Sequence, residues 1–148
     1  VKGMRTAIFP GSFNPFTIGH KSIVERGLKI FDRIVIAIGH NGNKPIGDDL
    51  VKRIETIRKI FESNYAVEVA TYPGLTAEYA RSVGACAILR GVRDITDFEY
   101  ERNLADVNKN ILGIDTVFLL SLPQYACISS SMVRELESFG HDVSDLLP

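Results

Sequence analysis

Apolar and polar residues follow one another along this chain in blocks of two kinds. Thr6-Ala7-Ile8-Phe9 is a short apolar run halted by Pro10-Gly11, which predicts a buried strand. Between Ile18 and Phe31, the residues Ile23, Val24, Gly27, Leu28 and Phe31 recur at helical steps. Arg33 to Ile38 is a β-branched run of strand length, followed by a polar loop from Gly39 to Gly47. Leu50, Ile54, Ile57 and Phe61 then mark a second helix, with Asp48 and Asp49 available to cap its start. The cycle repeats with a strand at Val67–Thr71, a short helix from Leu75 to Val83, and a buried strand at Cys86–Leu89 ending at Arg90-Gly91. Asp94 to Leu112 predicts a long helix with Tyr100, Leu104, Val107 and Ile111 on one stripe. Thr116–Leu120 reads as the fifth strand, Ser130–Phe139 as a helix, and a short segment around Val143–Leu147 closes the chain.

Strands separated by helices imply an α/β fold, here a doubly wound five-stranded parallel sheet covered on both faces. Its strand order is expected to be 2-1-3-4-5 or a relative. If the two halves wind in opposite directions from strand 1, strands 1 and 4 become neighbours across a switch point. Ligands of such sheets bind beyond the carboxyl ends of the strands at that crevice. Pro10-Gly11-Ser12 and Arg90-Gly91-Val92-Arg93 fall there.

Composition narrows the picture. With 148 residues, 45% of them apolar, the chain suits a single domain, read as residues 4–148. Val1-Lys2-Gly3 is read as a remnant ahead of a native start at Met4. Seventeen Lys+Arg against eighteen Asp+Glu give a net charge of −1, which argues against a nucleic-acid coat and requires any positive site to be focal. No apolar run approaches the roughly 18 residues of a membrane span, and no signal-peptide pattern opens the chain. Cys86 and Cys127 form no CxxC or Cys/His cluster, so neither a disulfide framework nor a structural zinc site is expected, and a cytoplasmic location is.

Phosphate is the ligand to weigh first. There is no GxxxxGK[ST] and no GxGxxG after the first strand. Instead Gly11 permits close backbone approach, Ser12 offers a hydroxyl and an N–H, and Gly19-His20 opens a helix whose dipole favours anions. His20 read alone is as easily a capping or packing residue; beside a glycine turn at a strand end, phosphate contact is the better reading. Ser129-Ser130-Ser131 opens a later helix as an anion nest or as a plain N-cap. Arg90 and Arg93 suit bidentate phosphate binding, the alternative being ion pairs with Asp94 or Asp97. Lys44, in a loop, says little by itself.

Together these stretches resemble the phosphopantetheine adenylyltransferase family, within the TxGH/HxGH nucleotidyltransferase superfamily. The resemblance runs from about Met4 to Pro148. It rests on Pro10-Gly11-Ser12-Phe13 with Thr17-x-Gly19-His20, on Gly74-Leu75-Thr76, on Arg90-Gly91-Val92-Arg93, on Asp97-Phe98-Glu99-Tyr100-Glu101 and on Ile128-Ser129-Ser130-Ser131. Departures are Ser12 for the frequent threonine, Asn14 for aspartate, and Cys127 at a usually aromatic position. The chain also ends at Leu147-Pro148, short of a final helix found in many members.

The resemblance implies a Rossmann-like nucleotidyltransferase fold and adenylyl transfer from ATP to 4′-phosphopantetheine in coenzyme A biosynthesis. It assigns the catalytic step to His20, Lys44 and Arg93, and the acceptor to Ser12, Lys44, Thr76 and Arg90. ATP falls to Ser12, Phe13, His20, Gly91, Val92, Arg93, Glu101 and the run Tyr125, Ala126, Cys127, Ile128, Ser129, Ser130 and Ser131. It further implies Mg²⁺ arriving with ATP, a homohexamer and feedback by coenzyme A, with no nucleic-acid or membrane partner. Too few carboxylates converge to predict a protein metal cage. A phosphate monoester with a second pKa of about 6 is already largely ionised, so no general base is required. The rival readings are a cytidylyl or nicotinate-mononucleotide enzyme of the same fold, opposed by Thr17 and the Arg90–Glu101 block, and a silent nucleotide-binding module.

Overall fold

The computed structural model describes residues 3–148; Val1 and Lys2, part of the predicted remnant, lie outside the described residues. Five strands form one sheet: β1 (Thr6–Gly11), β2 (Arg33–His40), β3 (Val67–Pro73), β4 (Ala87–Val92) and β5 (Asp115–Leu120). All pairings are parallel and the order is β3-β2-β1-β4-β5, a relative of the expected 2-1-3-4-5 in which β3 lies outside β2 instead of beside β1; β1 and β4 therefore meet at the centre, as oppositely wound halves require. The helices are α1 (Ile18–Gly27), α2 (Asp48–Ile60), α3 (Thr76–Ser82), α4 (Ile95–Leu112) and α5 (Ser130–Ser138).

Alternate residues of the central strands point to opposite faces, and both faces are buried. Phe9, Ile34, Ile36, Ile38 and Leu89 share a core with Val24 of α1 and with Ile54 and Ile57 of α2. Ile8, Val35 and Ile88 pack on the other face with Ala77 and Ala80 of α3. Helix α1 reaches the sheet through Gly27, where a Cβ would lie 2.6 Å from Leu89 Cδ2 and 2.8 Å from Ile34 Cδ1.

Several predicted boundaries move. β1 runs through Pro10-Gly11 instead of halting before them, paired with β2 as far as Gly11↔Ile38. Its pairing with β4 stops at Ile8↔Ile88, and Pro10 has no N–H to extend that ladder. The two central strands therefore part at their carboxyl ends, which is the crevice. Helix α1 ends at Gly27, before the predicted limit at Phe31, because Ile30 and Phe31 turn back to donate to the Gly27 carbonyl. Asp48 and Asp49 do not cap α2; Gly47 is the N-cap and makes no side-chain bond, while the two carboxylates sit in the first turn against the positive end of the dipole. β4 starts after Cys86, which is exposed, and continues to Val92.

The largest departure is the α4 stripe. Tyr100, Leu104, Val107 and Ile111 are 64%, 42%, 51% and 59% exposed. Three of them, Tyr100, Leu104 and Val107, line the crevice. Helical periodicity reports that one face is apolar, and here that face borders a cavity.

Candidate active site

The loop after β1 is folded by its own aromatic residues. Phe13 has φ +48° and turns its ring back over Gly11, where a Cβ would lie 2.9 Å from Phe13 Cζ. Only glycine leaves room for that ring. Phe13 is buried, with ring centroids 5.1 Å from Phe9, 5.3 Å from Phe16 and 5.0 Å from His20. Its side chain therefore belongs to the core, and an ATP contact at this residue falls to its main chain.

His20 occupies the first turn of α1 in a capping box with Thr17. The Thr17 N–H donates to His20 Nδ1 at 2.9 Å, while the His20 N–H reaches Thr17 Oγ1 at 3.3 Å. Because Nδ1 accepts, the proton of the neutral ring sits on Nε2, and the imidazole is a donor at its free end. Burial among Phe9, Phe13 and Phe16, reinforced by the positive fields of Arg90 and Arg93, lowers its pKa from 6.5 to about 4. His20 is thus a neutral hydrogen-bond donor at pH 7, not a cation. Thr17→Val should cost about 1 kcal/mol of stability through the lost cap, read as a lower midpoint in chemical denaturation. An unchanged midpoint would remove Thr17 from this role.

Both arginines of the β4 turn are held by carboxylates. Arg93 binds Asp97, Nε to Oδ2 at 2.8 Å, and that bond holds the Asp97 carboxyl below its usual range. This is one of the ion pairs weighed from the sequence. Arg90 takes neither Asp94 nor Asp97. Its Nε and one terminal nitrogen grip Glu101 at 2.8 and 2.6 Å, and the other terminal nitrogen donates to the Pro10 carbonyl. Glu101 is buried on α4, which makes it the anchor of Arg90. Three of the five guanidinium N–H donors are taken, leaving two. The bond to Pro10 joins β4 to the β1 turn across the parted strands.

A cleft of about 440 Å³ opens from this junction. Gly11, Ser12, Arg90 and Glu101 line it together with the apolar side chains of Leu75, Leu104 and Val107 and the amide of Asn108. Thr76 also lines it, its hydroxyl 2.7 Å from that of Tyr72, whose ring stacks on Tyr79 at 4.6 Å. Helix α5 closes the other side of the loop. Ser129 is its N-cap, Ser130 Oγ donates to the Pro15 carbonyl at 2.7 Å, and Ser131 Oγ accepts from Arg134 at 3.3 Å. A Cβ on Gly19 would stand 3.8 Å from Tyr125 Cβ and 4.0 Å from the Ile128 carbonyl, so the turn through Ala126 and Cys127 abuts the start of α1.

Of the predicted site residues, Ser12, Thr76, Arg90 and Glu101 line this cleft. His20 packs against the Phe13 ring at the start of α1, Arg93 follows at the end of β4, and the 125–131 turn abuts α1, all outside the lining. Lys44 is not brought in: it stands on the exposed loop between β2 and α2, outside the cleft lining. Among the described residues no group of three or more His, Cys, Asp or Glu side chains could hold a metal ion. Sequence reasoning missed the work of Thr17, the anchoring by Glu101, the cleft residue Asn108, and Arg53, whose contact lies 41 residues away in the chain. Arg134, beside the serine run, is no plain surface charge, since it holds the Asn14 carbonyl 120 residues away. Only the Thr17–His20 spacing carried a local signal, that of a helix cap three residues ahead of its partner.

Comparison with known proteins sharpens this geometry. The cytidylyltransferase-like family model matches residues 8–136. A phosphopantetheine adenylyltransferase from Porphyromonas gingivalis is 52% identical over 142 residues, covering 96% of this chain and 93% of the relative. One from Bacteroides thetaiotaomicron is 46% identical over 145 residues, covering 98% and 96%. One from Caldanaerobacter subterraneus is 41% identical over 146 residues, covering 98% and 91%.

Proposed function

This chain belongs to the phosphopantetheine adenylyltransferase family, and from that premise we propose how its residues perform the family's reaction. The reaction transfers the adenylyl group of ATP to 4′-phosphopantetheine and yields dephospho-coenzyme A and pyrophosphate. The observation that carries the reading is the cleft lining, cationic at Arg90 and apolar with an amide at Leu75, Leu104, Val107 and Asn108. It matches a phosphate monoester with an amide-bearing aliphatic tail.

The two free N–H donors of Arg90 hold the acceptor phosphate, and Ser12 aligns it with the ATP α-phosphate through hydroxyl and N–H. Asn108 pairs an amide of the tail, and the main chain at Thr76 borders its path. An acceptor phosphate oxygen attacks the α-phosphorus, the bond to the β-phosphate oxygen breaks, and pyrophosphate departs with the electron pair. The nucleophile is already ionised, so the protein need not remove a proton. Its task is alignment and stabilisation of negative charge. His20 donates Nε2–H to the α-phosphate as charge builds there. Arg93 and the start of α5, at Ser129, Ser130 and Ser131, receive the β- and γ-phosphates. Lys44, on the exposed loop between β2 and α2, would add positive charge on the acceptor side of the phosphates.

The carboxylates nearest the crevice, Glu101 and Asp97, are engaged by arginines. A Mg²⁺ ion accompanying ATP would therefore draw its ligands from the nucleotide's phosphates, whose charge it would offset. A homohexamer fits the exposed apolar residues Ile95, Phe98 and Leu120. Coenzyme A, which contains the product, would compete for the same cleft. A cytoplasmic location accords with two exposed free cysteines, and among the described residues no helix is long and apolar enough to cross a membrane.

A panel of acceptors tests the specificity. Turnover with ATP and 4′-phosphopantetheine should exceed that with CTP, or with nicotinate mononucleotide, by at least about a hundredfold in kcat/KM. Preference for either alternative would overturn the assignment.

A further inference from the structure

The loop between β1 and α1 is held through its carbonyl oxygens, and the donors come from two helices. Helix α5 takes the later half: Arg134 donates to the Asn14 carbonyl at 2.5 Å and Ser130 to that of Pro15 at 2.7 Å. The Ser12 carbonyl is held separately, by Arg53 of α2 at 3.1 Å. Arg53 borders a different cavity, of about 480 Å³, that lies against Phe13, Asn14 and Pro15 and shares no residue with the acceptor cleft.

In a planar trans peptide the C=O and the following N–H point in opposite directions. Fixing the Ser12 oxygen on the α2 side therefore turns the Phe13 N–H away from α2, and Ser12 itself borders the cleft. That orientation is the unfavourable one for the chain. It accompanies φ +48° at Phe13, a left-handed conformation that costs a bulky aromatic residue free energy. Rotating the Ser12–Phe13 peptide would relieve the strain and swing the N–H out of the site. The Phe13 ring is locked between Phe9, Phe16 and His20, so the peptide is the part left to move.

We infer that Arg53 is a positioning residue for adenylyl transfer, holding the Ser12–Phe13 peptide so that the Phe13 N–H faces the reacting phosphate. This rests on the reaction assigned above, in which ATP meets the Phe13 main chain. Arg53 lies outside the acceptor cleft and acts through one peptide plane.

Steady-state kinetics on three variants tests it. Arg53→Leu should lower kcat about tenfold, as misalignment of a stabilising group does, with KM for 4′-phosphopantetheine unchanged and a melting temperature close to that of the parent. Arg53→Lys, whose ammonium can still reach the carbonyl, should recover most of kcat. Lys52→Leu, on the same cavity wall but bonded to no loop carbonyl, should leave kcat unaltered. The inference is overturned if Arg53→Leu keeps the parent kcat, if Lys52→Leu loses as much, or if Arg53→Lys fails to recover although folded. A parent protein that forms no dephospho-coenzyme A would overturn the reaction itself, whereas a normal parent with an indifferent Arg53→Leu overturns only the tether.

Discussion

Replacing His20 with alanine should lower kcat by about a hundredfold or more, the loss typical of removing one preorganised donor from a developing oxyanion. KM for either substrate should change far less, because a donor aimed at charge that appears in the transition state contributes little to ground-state binding. The fold should survive, since His20 sits at the rim of a core that Phe9, Phe13 and Phe16 continue to fill. Steady-state kinetics checks this, and a variant retaining near-normal kcat would remove His20 from the chemistry.

The same residue sets an acid limit. Its pKa is about 4 in the folded protein against 6.5 for a free imidazole, so the unfolded chain binds the proton more readily. The stability associated with His20 is complete above about pH 6.5, declines as the pH falls toward 4, and levels off below that value. The total is up to about 3 kcal/mol. Denaturation midpoints of the parent should therefore fall between pH 6.5 and 4 by more than those of His20→Gln. Equal slopes would show that the ring is not buried neutral.

Glu101→Ala should raise KM for 4′-phosphopantetheine about tenfold and cost about 2 kcal/mol of stability. The carboxylate is buried, with 8% of its side chain exposed against 28% for Arg90, so its loss strands a guanidinium that has paid most of its desolvation. Arg90 then keeps only its Pro10 bond and loses the angle that aims its free donors. Arg90→Ala should raise the same KM with little change in kcat. The double variant should be no worse in KM than Arg90→Ala alone, because both act on one contact. Additive effects on KM would mean that Glu101 serves a separate purpose.

Much of this was legible in the sequence where the signal is local. The β-branched runs gave the sheet, and a glycine turn followed by a helix start placed Ser12 at the cleft and His20 in the first turn of α1. The errors arise where local pattern and tertiary setting diverge. The Tyr100, Leu104 and Val107 stripe has a buried helix's periodicity, yet it borders a cleft, since periodicity identifies an apolar face without identifying what lies opposite. Asp48 and Asp49 are in range of a helix start, but Gly47 takes the cap position. Arg90 was weighed against the nearby Asp94 and Asp97, whereas its partner is Glu101, 11 residues along and one helix away. Arg53 carries no motif, because a side chain that bonds a distant carbonyl leaves no spacing to read. Thr17 stood out as a family marker; that its side chain caps α1 while its main-chain N–H fixes the His20 tautomer needed the hydrogen bonds.

The central claim is that an oxygen of the acceptor phosphate becomes the bridge to the α-phosphorus of ATP while pyrophosphate leaves. Incubating the protein with ATP, Mg²⁺ and 4′-phosphopantetheine whose phosphate carries oxygen-18, then weighing the products by mass spectrometry, tests it most directly. Labelled dephospho-coenzyme A together with unlabelled pyrophosphate is the predicted result. Label in the pyrophosphate, or AMP released without dephospho-coenzyme A, would contradict it.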